Sequence, residues 1–280
     1  MRKIELRPAL ASSLPRLSGF LLCVAGLLAA SVAGASERRF GFTYDSSVLA
    51  PGEAELEPWT TVRAGRRHFY SAFDQRLEFE LGLAPNLQTS LYWNFGASSE
   101  TVRDPATQEL TRREEFHLSS LASEWKYKLS DPLADAIGSA LYVEASYGPH
   151  EIELEGKLIL DKQSGNWFFA ANLSGEQEWE LEVGETESEQ HYGVNLAAGY
   201  FVAPTLLAGL EAVSVTTVED GEVESSAIYA GPSLAYAADR YWVVASAAPQ
   251  LFAPKAESGQ HLDLRAGERV WARLLLGFHI

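Results

Sequence analysis

The sequence predicts an all-β protein: an antiparallel up-and-down transmembrane β-barrel of about twelve strands behind an N-terminal signal peptide. Three observations carry this: a short export-type leader, period-2 alternation of apolar and polar residues along most of the chain, and connections that alternate between short and long.

The leader comes first. Arg2, Lys3, Arg7 and Arg16 supply a positive start, and Gly19 to Ala30 a short apolar stretch. Ala33-Gly34-Ala35 gives a small-residue cleavage pattern, which makes Ser36 the expected first residue after processing. The apolar run is shorter than the ~20 residues a spanning helix needs. Leu21 and Leu22 precede Cys23 where a lipoprotein would want a small residue, so Cys23 reads as filler. Residues 36–51 are expected to form a periplasmic or lumenal segment, and 52–280 the barrel. Without the leader, 245 residues remain, with no cysteine and with 18 basic residues against 37 acidic ones. There is thus no disulfide framework, thiolate metal site or thiol nucleophile. The acidic balance argues against nucleic acid, whose binders carry basic faces.

Period-2 alternation sends successive side chains to opposite faces of a strand. Leu87, Thr89, Leu91, Trp93 and Phe95 alternate with Gln88, Ser90, Tyr92 and Asn94. The same pattern predicts strands near 52–65, 69–83, 87–98, 115–129, 138–149, 151–161, 166–181, 190–202, 205–217, 225–237, 240–251 and 267–280. Ala84-Pro85-Asn86, Ala203-Pro204 and Ala238-Asp239 read as tight turns. Longer polar loops are expected near 99–114, 182–189, 218–224 and 252–266. Short turns on one rim and long loops on the other suit an outer-membrane barrel, and an even strand number returns both termini to one side.

Alternation alone does not say which face points inward. A soluble barrel of twelve strands would enclose a large hollow apolar interior, which close packing disfavours. Strands of about 12 to 16 residues exceed those of ordinary sheets and suit a tilted crossing. Aromatics near strand ends (Trp59, Tyr70, Trp93, Phe95, Trp125, Tyr127, Trp167, Tyr200, Phe201, Tyr241, Trp242 and Phe278) are placed where interfacial girdles belong. The apolar face is therefore expected to meet outer-membrane lipid. The alternating last strand, with Gly277 and Phe278, resembles the terminal strands that barrel-assembly machinery recognises, although it ends in Ile280.

The polar face would then line the lumen. Its expected members are Glu55, Glu57, Asp74, Arg76, Glu78, Glu80, Glu124, Lys126, Lys128, Glu144, Glu151, Glu153, Glu155 and Lys157 in the first half, with Glu211 and Arg273 later. Gly193, Asn195, Ala197 and Gly199 make the same face small and neutral on the eighth strand. This composition fits a wet acidic pathway for cations or polar solutes, or equally a salt-bridged interior that conducts nothing.

No catalytic residues or cofactors are expected. His117-Leu118-Ser119 is the only tight His/Ser pairing and lacks a surrounding nucleophile pattern. No His-Glu-x-x-His or glycine-rich phosphate motif is present, so no metal site is assigned. The acidic run 176–189 and the stretch 219–222 could bind divalent cations at the outer rim, but such runs are more often simply solvated loops. Asn172-Leu173-Ser174 matches a glycosylation sequon within a strand and is taken as coincidence.

Phe40-Gly41-Phe42-Thr43-Tyr44, with Leu49-Ala50-Pro51-Gly52-Glu53-Ala54-Glu55-Leu56-Glu57, resembles the start of a broad group of outer-membrane barrels. That group includes transporter-like proteins associated with phenol meta-degradation and related uncharacterised families. Glu151 to Leu160 and Gly165-Asn166-Trp167 resemble an internal part of the same group. The resemblance implies a passive route for small molecules and carries no catalytic residues. The expected function is a passive channel or transporter-like barrel for small solutes. The alternative is a closed structural or surface-interaction barrel.

Overall fold

The computed structural model describes residues 37–104, 108–182 and 185–280. The expected signal peptide lies outside the described residues. Among the described residues, twelve strands occur: β1 (Ala54–Ala64), β2 (Tyr70–Ala84), β3 (Leu87–Arg103), β4 (Leu110–Ser130), β5 (Gly138–Tyr147), β6 (Glu151–Ser164), β7 (Trp167–Glu182), β8 (Glu185–Ala203), β9 (Leu206–Glu219), β10 (Glu222–Ala237), β11 (Tyr241–Phe252) and β12 (Val270–His279). Each pairs antiparallel with its neighbour, and β12 returns to pair with β1, closing the barrel. Closure leaves no unpaired edge.

All twelve strands predicted from alternation are present. The main differences lie on the long-loop rim. Residues expected as loops at 99–114 and 182–189 are largely strand: β3 and β4 pair out to Arg103 and Leu110, and β7 and β8 out to Glu182 and Glu185. Their outward faces are polar, so they lack the apolar signal that marks a lipid-facing strand, yet ladder hydrogen bonding carries on past it.

The orientation of the two faces is settled by exposure. On β5, Leu141 and Val143 are about half exposed, whereas Ala140, Tyr142 and Glu144 are buried. Carboxylates point in and aliphatic side chains point out, the inverse of a soluble barrel. The outer wall is therefore suited to lipid. Trp167, Phe169, Tyr200, Tyr236, Tyr241 and Phe278 are exposed near the short-turn rim. Trp167 stacks on Phe169 at 6.0 Å and meets Tyr200 edge-on at 5.1 Å. Five aromatics expected in the girdles face inward instead, with Phe201 packed on the interior apolar cluster and Phe95 lining a lumenal cavity. Trp59, Tyr70 and Trp242 are buried, and the indole N–H groups of Trp59 and Trp242 donate to Glu57 and Glu55. Alternation had fixed their face, but an indole needs a polar partner when buried, and lumenal carboxylates provide it.

The short turn between β4 and β5 is held by Asp131. Its Oδ1 accepts from the backbone N–H of Leu133 at 2.8 Å and Ala134 at 3.1 Å, and Lys128 Nζ lies 2.6 Å from its Oδ2. The Lys128 hydrogen bond holds the Asp131 carboxyl down to about 2. A depressed folded-state value stabilises above the ordinary value near ~4, and the contribution is lost as pH falls through about 2. Asp131→Ala is expected to cost about 1 kcal/mol at pH 7, as a lost cap does. Urea unfolding of the refolded protein in detergent, repeated at pH 2, should show the difference shrink.

Candidate functional site

Residues 38–49 lie inside the barrel. A chain there has no strand to pair with, and its buried N–H and C=O groups still require partners. Side chains of the wall supply them. Glu211 on β9 takes three consecutive N–H groups: Gly41 to Oε1 at 2.9 Å, and Phe42 and Thr43 to Oε2 at 2.8 and 2.9 Å. Successive amides turned to one anion form a small nest. Ser246 on β11 donates to the same carboxylate at 2.6 Å. Asn172 on β7 closes a two-way pair with Tyr44, accepting its N–H at 2.7 Å and donating to its carbonyl at 2.9 Å. Asn195 on β8 donates to the Phe42 carbonyl, and Arg273 on β12 to that of Gly41. Asp161 on β6 holds Ser46 twice, and Gln88 on β3 accepts from Leu49.

The side chains of the segment complete the closure. Phe40 and Tyr44 enter a continuous apolar cluster with Trp59, Tyr142, Ile159, Phe168, Leu207, Trp242, Val244 and Leu275. This cluster draws on β1 and on every strand from β5 to β12, so it bridges the lumen from wall to wall. Phe42 enters a second cluster with Val213 and Tyr229. Gly41 is required here: a Cβ would sit 2.5 Å from Ser246 Oγ.

The expected lumen residues divide into groups around this segment. Glu55, Glu57, Glu78, Glu80, Glu124 and Lys126 are buried between β1, β2 and β4. Asp74, Arg76, Glu144, Glu151, Glu153, Glu155, Lys157 and Arg273 line a vestibule of about 460 Å³ on the long-loop side, together with Glu176 and His191; Phe42 and Tyr44 contribute to its wall. Arg76 bonds Asn94 at 3.0 Å and lies over Tyr92, Tyr142 bonds Glu144, and Lys157 pairs with Glu155. Glu211 binds the segment. Lys128 is the exception, placed at the short-turn rim against Asp131; alternation gives its face but not how near the strand end lies.

Asp161, Asn172, Asn195, Gln88 and Ser246 were missed as functional residues, and Asn172 figured only as a sequon. Its side chain is buried in the lumen, away from modification. Asn172, Asn195 and Ser246 share one signal, a polar residue among small or neutral neighbours on the inner face, whereas Asp161 continues the charged face of β6. The His117 side chain lies outside the described residues.

No curated protein matches the chain. Among solved structures, the fold is similar to the COG4313 outer membrane channel from Pseudomonas putida F1, at 12% identity and a TM-score of 0.61, over 84% of this chain and 98% of that one. It is also similar to the NanC porin, at 10% identity and a TM-score of 0.52, over 80% of this chain and 100% of that one. Identities this low establish a shared outer-membrane barrel fold and nothing finer. The phenol meta-degradation group suggested by the N-terminal motifs is thereby supported as a barrel class, not as a family. Family matching instead covers residues 32–164 and 152–280. The chain belongs to DUF6662, a family of unknown function.

Proposed function

We propose that this protein is an outer-membrane channel for small solutes, closed by its own N-terminal segment and opened when that segment leaves the lumen. The observation that carries this reading is the manner of attachment. Residues 41–49 are held by side-chain hydrogen bonds from the wall, a set that can be released without breaking any strand pairing. The vestibule supports a preference for cations or polar solutes, since Glu144, Glu153, Glu155 and Glu176 outnumber Arg76, Lys157 and Arg273 there. Lipid contact through the apolar wall and recognition of β12 by barrel-assembly machinery belong to the same reading, which assigns the chain no catalytic step.

The test compares two refolded proteins in planar bilayers: the chain from Ser36, and a variant lacking residues 37–50. The variant is expected to conduct steadily and to favour cations. The full chain is expected to open briefly to the same level. A full chain that never visits this level under applied potential would instead support the closed structural or surface-interaction barrel, which the filled lumen also favours. Unchanged circular dichroism of the variant excludes a misfolded pore.

A further inference from the structure

The wall of β1, β2 and β4 that adjoins the segment's apolar cluster is chemically unlike the rest. Glu55 and Glu57 on β1 stand across from Glu80 and Glu78 on β2, and Ser90 on β3 separates Glu80 from Glu124 on β4. All five carboxylates are at most 3% exposed. They form two adjoining triads, Glu55–Glu57–Glu80 and Glu78–Glu80–Glu124, each with its ligand oxygens within 4.8 Å of one another.

A second observation separates this cluster from an ordinary charged face. Glu124 is 1% exposed, and neither of its carboxylate oxygens has a hydrogen-bond partner. One oxygen each of Glu55, Glu57, Glu78 and Glu80 is also buried and unpartnered. Lys126 on β4 and Arg38 of the N-terminal segment lie nearby, and His279 Nδ1 on β12 lies 3.6 Å from Glu55 Oε2. Arg38 rests over Tyr44 at 3.7 Å and Trp59 at 4.8 Å, and its Nε and one terminal nitrogen are unpartnered too. Among the described residues, neither Lys126 nor Arg38 forms an ion pair with the five carboxylates, and His279 meets only Glu55. Unpaired carboxylates away from water are costly. Five carboxylates beside Lys126, Arg38 and the His279 imidazole leave room for further positive charge.

We propose that these triads, sharing Glu80, are a binding site for a hard divalent cation of the calcium type. Calcium takes six to eight oxygen ligands at about 2.3–2.6 Å, so its outermost ligand oxygens lie roughly 5 Å apart, as the triad spacing allows. Both triads offer carboxylate oxygens alone, a donor set that favours a hard cation over zinc or copper. The cation would tie β1, β2 and β4 together at the edge of the apolar cluster, to which β2, β3 and β4 contribute no residue.

Trp59 and Trp242 make the site readable, because their indole N–H groups donate directly to Glu57 and Glu55. Terbium, which takes calcium sites, should therefore glow when tryptophan is excited. The experiment titrates Tb³⁺ into the chelator-treated full-length protein refolded in detergent, then competes with Ca²⁺. Saturable emission that Ca²⁺ displaces is expected, with affinity at least tenfold weaker in Glu80→Gln. Glu178→Gln should leave the signal unchanged, since Glu178 belongs to both partly exposed carboxylate groupings of the vestibule. Glu124→Gln replaces Glu80→Gln if the latter does not refold. Absence of saturable emission would overturn the proposal and assign the unpartnered oxygens to shared protons. Emission lost in Glu178→Gln but kept in Glu80→Gln would place the cation in the vestibule and equally overturn it.

Discussion

Replacing Glu211 by alanine should release the N-terminal segment and turn a shut barrel into a conducting one. Three consecutive backbone N–H groups and the Ser246 hydroxyl lose their acceptor at once. Hydrogen bonds to a charged group are worth about 1.5–3 kcal/mol each, and N–H groups left buried without partners carry a further penalty. The contributions are not additive. Even about 3 kcal/mol in total shifts the bound-to-released ratio by more than a hundredfold. In planar bilayers, Glu211→Ala should spend most of its time at the conductance of the variant lacking residues 37–50. Glu211→Gln keeps an acceptor oxygen and should lie between the two. If Glu211→Ala remains as quiet as the parent protein, the carboxylate nest is not what holds the segment.

A second expected result attacks the same segment at a different point. At Gly82, a Cβ would lie 2.1 Å from the Ala50 carbonyl oxygen and 2.7 Å from that of Leu49. Both are backbone atoms and neither can swing aside as a side chain would. Gly82 also exchanges backbone hydrogen bonds with the crossing chain, accepting from Gly52 at 2.9 Å and donating to Glu53 at 3.0 Å. Gly82→Val should therefore push the segment off the wall where it enters the lumen. The readout uses Ser46→Cys, a fully buried position in a chain whose only native cysteine is Cys23. A water-soluble maleimide should label this cysteine at least tenfold faster with Gly82→Val than without it. Equal rates would mean that the backbone accommodates the clash with the segment in place.

The barrel was legible because lipid and lumen impose opposite chemistry on alternate residues, and that contrast survives in one dimension as period 2. Turn residues such as Ala84-Pro85-Asn86 and Ala203-Pro204 then fixed where strands reverse. The β3–β4 and β7–β8 extensions were illegible for the same reason: beyond the bilayer both faces meet water. The segment's position was harder still. Phe40-Gly41-Phe42-Thr43-Tyr44 alternates like a strand, but its partners are Asn172, Glu211 and Arg273, which local periodicity cannot connect to it. The clue was on the wall. Gly193, Ala197 and Gly199 are small on a face that is otherwise crowded with charge, and Asn195 between them donates to the Phe42 carbonyl of the segment. The lone carboxylate among those small residues, Glu211, marks where that segment is bound.

The same anchoring has a kinetic consequence. The residues that hold positions 41–49 come from β3, β6, β7, β8, β9, β11 and β12, and Gly41 meets Arg273 across 232 positions of sequence. No subset of early strands offers the segment a complete binding surface. Contacts this distant along the chain are expensive to close and form late. The first described stretch of the polypeptide is thus the last to reach its native place, and its insertion reports that the cylinder has sealed. A wall still lacking β9, β11 and β12 would lack Glu211, Ser246 and Arg273, the partners of Gly41.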